Sequence, residues 1–116
     1  LADLLGTTHI QFAPSSAAID PSSSALLQSV ADAATTCPGT LRIEGHTDSM
    51  GSANANELLG DARAEAVRDA LIARGVPAER LLAEGFGARK PIDDNSTAEG
   101  RAHNRRIEIR VVRASD

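Results

Sequence analysis

Two stretches of the chain alternate apolar and polar residues with a period of two: Leu41-Arg42-Ile43-Glu44-Gly45-His46 and the run from Arg106 to Arg113. Successive side chains of a strand point to opposite faces, so each stretch predicts a strand with one apolar and one polar face. In the second, Ile107, Ile109 and Val111 are expected to face inward, and Arg106, Glu108 and Arg110 outward. Strands of this kind fit a sheet that buries one face and leaves the other open. What covers the apolar face is limited by composition. Hydrophobic residues make up 41% of the 116 residues but aromatic ones only 2%. The core must therefore be built from Leu, Ile, Val and Ala, with Phe12 and Phe86 as its only large rings. The length suits one domain around one core.

The remaining elements follow from punctuation and period. Thr8-His9-Ile10-Gln11-Phe12 predicts the first strand, with Ile10 and Phe12 on one face. Asp20-Pro21 predicts a helix start, and Leu26, Leu27, Val30, Ala31 and Ala34 give that helix its apolar stripe until Cys37-Pro38-Gly39 ends it. A polar, glycine-containing loop is expected from about Thr47 to Asn56. A second helix is expected to begin near Gly60, with Leu59, Ala62, Ala66, Val67, Ala70 and Leu71 at helical spacing and Gly75 as its C-terminal cap before Pro77. Leu81 to Phe86 predicts a third strand. Lys90 to Thr97 reads as a loop, and Thr97 to His103 has room for a helical turn. The order β-α-β-α-β-β implies an α/β fold of two layers, with both helices on one face of a mixed sheet.

Several function classes are excluded. The net charge of -4 provides no basic face for nucleic acid. No segment approaches the ~20 apolar residues of a membrane span. Cys37 is the only cysteine, so no disulfide forms within the chain, and it has no His partner that would activate it. Ser22, Ser23 and Ser24 read as helix-start residues with no base beside them. Gly85 to Lys90 is a glycine turn without the spacing of a phosphate loop. Glu44, His46 and Asp48 alternate like metal ligands, but no further His or Cys supports them, so no metal or cofactor is expected.

Three charged residues stand out. With Gly60 as cap, Arg63 lies in the first turn of its helix, where a cation opposes the macrodipole by a few tenths of a kcal/mol up to ~1. An arginine there needs an anion, either an internal one such as Asp48 or Glu57, or a ligand's. Asp48 follows the second strand, where ligands of open α/β sheets tend to bind. It either holds an Asx-turn over Thr47 to Gly51 or, beside Arg63, takes the ammonium of a zwitterion whose carboxylate Arg63 takes. Arg105 shares parity with Ile107 and points to the core side, as a second anion contact or as a cap for carbonyls.

These segments together resemble the OmpA-like peptidoglycan-binding family, from about Ile10 to Val112. The resemblance is carried by Ile10-Gln11-Phe12 with Ile19, by Glu44-Gly45-His46-Thr47-Asp48 with Gly51, and by Asn56 to Ala64. It continues through Arg74-Gly75-Val76, Gly85-Phe86-Gly87, Pro91, Asn95 and Gly100 to Ile107. It implies a mixed four-stranded sheet of order 1-4-2-3. It also implies non-catalytic binding of the diaminopimelate of a peptidoglycan stem peptide, which Asp48 and Arg63 hold by its amino-acid end. Arg105 would support the site, and Thr47, Asn56 and Leu59 would shape loop and pocket. The chain departs from the pattern at Gly60, where many members have a capping serine, at Met50, and at Pro14 with Ser15. Residues 1–116 are expected to be one domain with its core at about 8–113, forming the C-terminal part of a longer protein in the periplasm that is attached to the outer membrane. An enzyme such as a peptidoglycan hydrolase lacks a catalytic set here. A protein–protein module without peptidoglycan binding is the alternative.

Overall fold

The computed structural model describes residues 2–8 (as backbone), 10, 12, 16–36 and 39–112. The elements in order are β1 (Ala2–Thr8), α1 (Ser24–Thr36), β2 (Thr40–His46), α2 (Ala53–Ala73), β3 (Leu81–Gly87), α3 (Ala98–Asn104) and β4 (Arg106–Val112). The strands form one four-stranded sheet in the order β1-β4-β2-β3. β2 runs parallel to β3, and β4 runs antiparallel to both β1 and β2, so the sheet is mixed. α1 buries Leu27, Ala31 and Ala34, and α2 buries Ala64, Val67 and Leu71, in the cluster that holds Leu41, Ile43, Ile107, Ile109 and Val111. Both helices therefore cover the apolar face of the sheet.

The first strand is displaced from its expected place. β1 pairs along the whole of β4, from Ala2 opposite Val112 to Thr8 opposite Ile107. Beyond Thr8 the chain runs past the start of β4 and has no ladder left to join. Ile10 and Phe12 therefore leave the sheet, and Phe12 makes a single antiparallel bridge to Ile19. His9, Gln11, Pro14, Ser15, Cys37, Pro38 and Arg113, on which expectations also fell, lie outside the described residues.

α1 is preceded by a 3-10 turn over Pro21–Ser23, capped by Asp20, whose side chain accepts from the Ser22 amide at 2.9 Å. Leu26, expected in the apolar stripe, is exposed, because the buried line passes through Leu27, Ala31 and Ala34. α2 begins two turns before Gly60. Its cap is Ser52, whose hydroxyl accepts from the Ala55 amide at 3.0 Å. Gly60 is thus an interior residue, and its lack of a side chain serves packing. A Cβ on it would sit 2.8 Å from the Gly45 carbonyl oxygen, and a Cβ on Gly45 would sit 2.1 Å from that of Gly60. Two glycines let α2 lie directly on β2. Gly75, at φ 98, does end the helix as expected.

The polar face of the sheet is not simply outward. Arg106 and Glu108 are buried, as are Glu44 and His46 opposite them. The Arg106 guanidinium donates to the carbonyls of Asn104 and Lys90 at 3.1 and 2.9 Å, so the chain flanking α3 folds over this end of the face.

Candidate functional site

At the C-terminal end of β2 lies an open crevice of about 620 Å³. Thr47 and Asp48 enter it from the loop after β2, Asn56, Leu59 and Arg63 from α2, and Arg105 from the junction of α3 and β4. Asn56, Leu59 and Arg63 stand at intervals of three and four, which puts them on one face of the helix. The residues named from the sequence thus share one cavity. Ile10, Phe12, His103 and the exposed Met50 also line it, as do the strand residues His46 and Arg106.

Asp48 is only 8% exposed and satisfies both carboxylate oxygens. Oδ1 accepts from the Met50 amide at 2.9 Å, which closes an Asx-turn, and Oδ2 accepts from Arg105 Nη1 at 2.5 Å. The Asn56 side chain donates through Nδ2 to the Met50 carbonyl at 3.0 Å, and the Thr47 backbone amide donates to that of Gly87 at 2.8 Å, so the loop is tied on both sides. Arg105 is the last residue of the α3 capping structure, not a residue of β4, and its side chain is 45% exposed. Its anion is Asp48. The carbonyl-capping role considered for it belongs to the neighbouring Arg106.

Arg63 differs from the expectation in two ways. With α2 starting at Ala53 it sits in the third turn, so the macrodipole has little hold on it. It also pairs with neither internal candidate: Asp48 is taken by Arg105, and Glu57 by Arg89. Instead Arg63 Nε donates to the Ser16 carbonyl at 2.8 Å, and its guanidinium carbon lies 4.8 Å from the centre of the Phe12 ring. Among the described residues no carboxylate lies within ion-pair distance of it. Burial, then the charge of Arg105, pushes its pKa down from the usual arginine value, against the opposing pull of Asp48.

Two supporting residues were given no place in the site from the sequence, although both fall in segments that carry the resemblance. Asn104 is fully buried and staples the preceding loop: its Oδ1 accepts from the amides of Ile92 and Asp93, and its Nδ2 donates to the Asp93 carbonyl and to Asn95 Oδ1. This fixes the end of α3 and with it the origin of Arg105. Phe12, expected as a core ring on the first strand, lines the crevice and supplies the floor under Arg63.

The metal-like alternation also resolves differently. Asp48 turns to the crevice, and Glu108 joins Glu44 and His46, with ligand atoms within 4.8 Å of one another. Both carboxylates are already committed. Glu44 accepts from Arg42 and Arg110 at 2.8 and 3.1 Å, and Glu108 from Arg106 and Arg110 at 2.5 and 2.7 Å. A cation there would face three guanidiniums, so the cluster is an internal charge layer. For Glu44 burial alone would raise the pKa, but hydrogen bonds from His46, Arg42 and Arg110 together bring it below the usual value. His46 stacks on Phe86 with ring centres 5.1 Å apart, and its Nε2 lies 3.1 Å from Glu44. Burial, then Arg106, pushes its pKa down, against Glu44 and Glu108.

The sequence and the fold have counterparts in known proteins. The family model described as the OmpA family matches residues 11–105. The chain is 42% identical over 102 residues to "Probable lipoprotein YiaD" of Escherichia coli, covering 87% of this chain and 47% of that protein. It is 42% identical over 103 residues to "Peptidoglycan-binding protein ArfA" of Mycobacterium tuberculosis, covering 88% of this chain and 32% of that one. It thus spans less than half the length of these curated relatives. Among solved structures, the cell wall anchor of the T6SS from Pseudomonas aeruginosa superposes with a TM-score of 0.81 at 36% identity, covering 92% of this chain and 79% of the other. The peptidoglycan-associated lipoprotein from Burkholderia pseudomallei gives 0.77 at 33%, covering 89% and 86%. The chain is a non-catalytic domain of the OmpA family.

Proposed function

We propose that the crevice binds the diaminopimelate of a peptidoglycan stem peptide and so anchors an envelope protein to the cell wall from the periplasmic side. The observation that carries this is Arg63: a half-buried guanidinium lining the crevice beside Asp48, with no carboxylate of its own among the described residues. The distal end of diaminopimelate carries an ammonium and a carboxylate on one carbon. Asp48 takes the ammonium and Arg63 the carboxylate, with Phe12 and Leu59 against the methylenes. The names of the relatives, a peptidoglycan-binding protein and a cell wall anchor among them, support peptidoglycan as the wider ligand. Among the described residues no helix is long and apolar enough to cross a membrane. Attachment to the outer membrane would therefore come from other parts of a longer protein.

The test is co-sedimentation of the domain with purified sacculi, followed by analysis of the supernatant for muropeptides. Retention on the sacculi without release is expected. A domain that stays in the supernatant would contradict the proposal and favour a protein–protein module.

A further inference from the structure

The crevice holds an excess of positive charge. Of the charged side chains lining it, Arg106 is neutralised by Glu108 and Arg105 by Asp48, while Arg63 has no carboxylate partner among the described residues. A ligand that brings one ammonium and one carboxylate leaves this excess as it was. Its ammonium would join Arg105 at Asp48, whose Oδ2 accepts from that guanidinium at 2.5 Å. A carboxylate has about four acceptor sites and can hold both cations, as Glu44 holds Arg42 and Arg110. Two cations then share one negative charge, and Arg105, with its side chain 45% exposed, is open to a further anion.

On the stem-peptide assignment above, we infer that Arg105 is a specificity residue that takes a second carboxylate of the ligand. The crevice therefore selects a diaminopimelate with both carboxyls free, one ammonium and a net negative charge. The distal carboxylate meets Arg63, the ammonium joins Arg105 at Asp48, and the exposed side of the Arg105 guanidinium receives the proximal carboxylate. That carboxylate is free only where the stem ends at diaminopimelate. In a longer stem it is an amide, and the terminal charge lies one residue further on.

Two ligands separate the possibilities: a stem tripeptide ending in diaminopimelate as the free acid, and the same tripeptide with the proximal carboxyl converted to a carboxamide. Both are titrated calorimetrically into the parent protein and into Arg105→Gln, with circular dichroism to check folding. The parent is expected to bind the acid about tenfold more tightly than the carboxamide, the effect of one charge-assisted hydrogen bond. Arg105→Gln should lose that preference, weakening for the acid by a similar factor and not for the carboxamide. Equal affinity of the parent for both ligands overturns the inference while leaving the stem-peptide assignment standing. So does an Arg105→Gln variant that binds the acid as tightly as the parent or more tightly, for Arg105 would then be only the internal partner of Asp48. If neither ligand titrates the parent, the assignment itself falls. The comparison of the two ligands on the parent decides the matter even where the variant does not fold.

Discussion

Arg63 and Arg105 share a crevice but are held in opposite ways, one by a carbonyl and a ring, the other by a carboxylate. This difference predicts different consequences for Asp48→Ala. The substitution removes the Met50 turn contact and leaves Arg105 unpaired, but that guanidinium can turn to water. Stability should fall by only about 1 kcal/mol, the usual worth of one hydrogen bond. Affinity for stem peptides should fall tenfold or more, whether they carry diaminopimelate or lysine, since both present an ammonium. Urea denaturation and calorimetry measure the two separately, and a folded Asp48→Ala variant that binds at full strength would remove Asp48 from the site. Asp48, Arg63 and Arg105 were legible because each falls in a dense motif; the local reason for Arg63, a place in the first turn, rested on a helix start two turns too late. The bond from Arg63 to Ser16 and the staple around Asn104 were not. They join segments whose separation in sequence carries no periodic signal, and only the folded chain brings them together.

At the scale of elements, strong period and strong punctuation gave nearly the right bounds. β2, β3 and β4 and the Gly75 end of α2 lie where alternation and turn chemistry put them. The start of α2 was hidden because Gly51, Ser52, Asn54 and Asn56 are turn-forming residues, and only packing decides that Ser52 acts as a cap. β1 was misplaced because its extent is set by pairing with β4, a contact across the whole chain. The α2–β2 contact yields a sharp prediction. Gly60→Ala improves helix propensity by about 1 kcal/mol in an open helix. Here its Cβ meets the Gly45 carbonyl at 2.8 Å and the Gly87 amide at 3.2 Å, both backbone atoms that cannot rotate away. The variant should lose roughly 1–3 kcal/mol, as overpacked sites do. A urea midpoint equal to or above the parent's would show that α2 does not sit so close to the sheet. Ser52→Ala should cost about 1 kcal/mol through loss of the cap, read by the same denaturation.

Across the whole molecule, the buried charge layer links the crevice to the open face of the sheet, since His46 and Arg106 belong to both. It also sets the response to acid. His46 has a pKa below its ordinary 6.5, and Glu44 one below its ordinary 4.5, so for each group the folded state binds fewer protons than the unfolded state. Stability from His46 is therefore present above pH 6.5 and is lost as pH falls through its folded value; that from Glu44 is lost only below pH 4.5. Each group contributes a slope of at most about 1.4 kcal/mol per pH unit. Urea unfolding across this range should show stability falling below pH 6.5, and His46→Gln should flatten that upper part while keeping the fall below pH 4.5. An unchanged profile would mean that His46 is not held neutral. The central claim concerns the crevice, and the most direct measurement is calorimetric titration of the parent and Arg63→Ala with two stem peptides that differ only in diaminopimelate or lysine. These ligands differ by the distal carboxylate alone. The parent should bind the diaminopimelate peptide roughly ten- to a hundredfold more tightly, and Arg63→Ala should lose most of that preference while staying folded. Equal affinity of the parent for the two peptides would contradict the assignment of Arg63 and with it the proposed ligand.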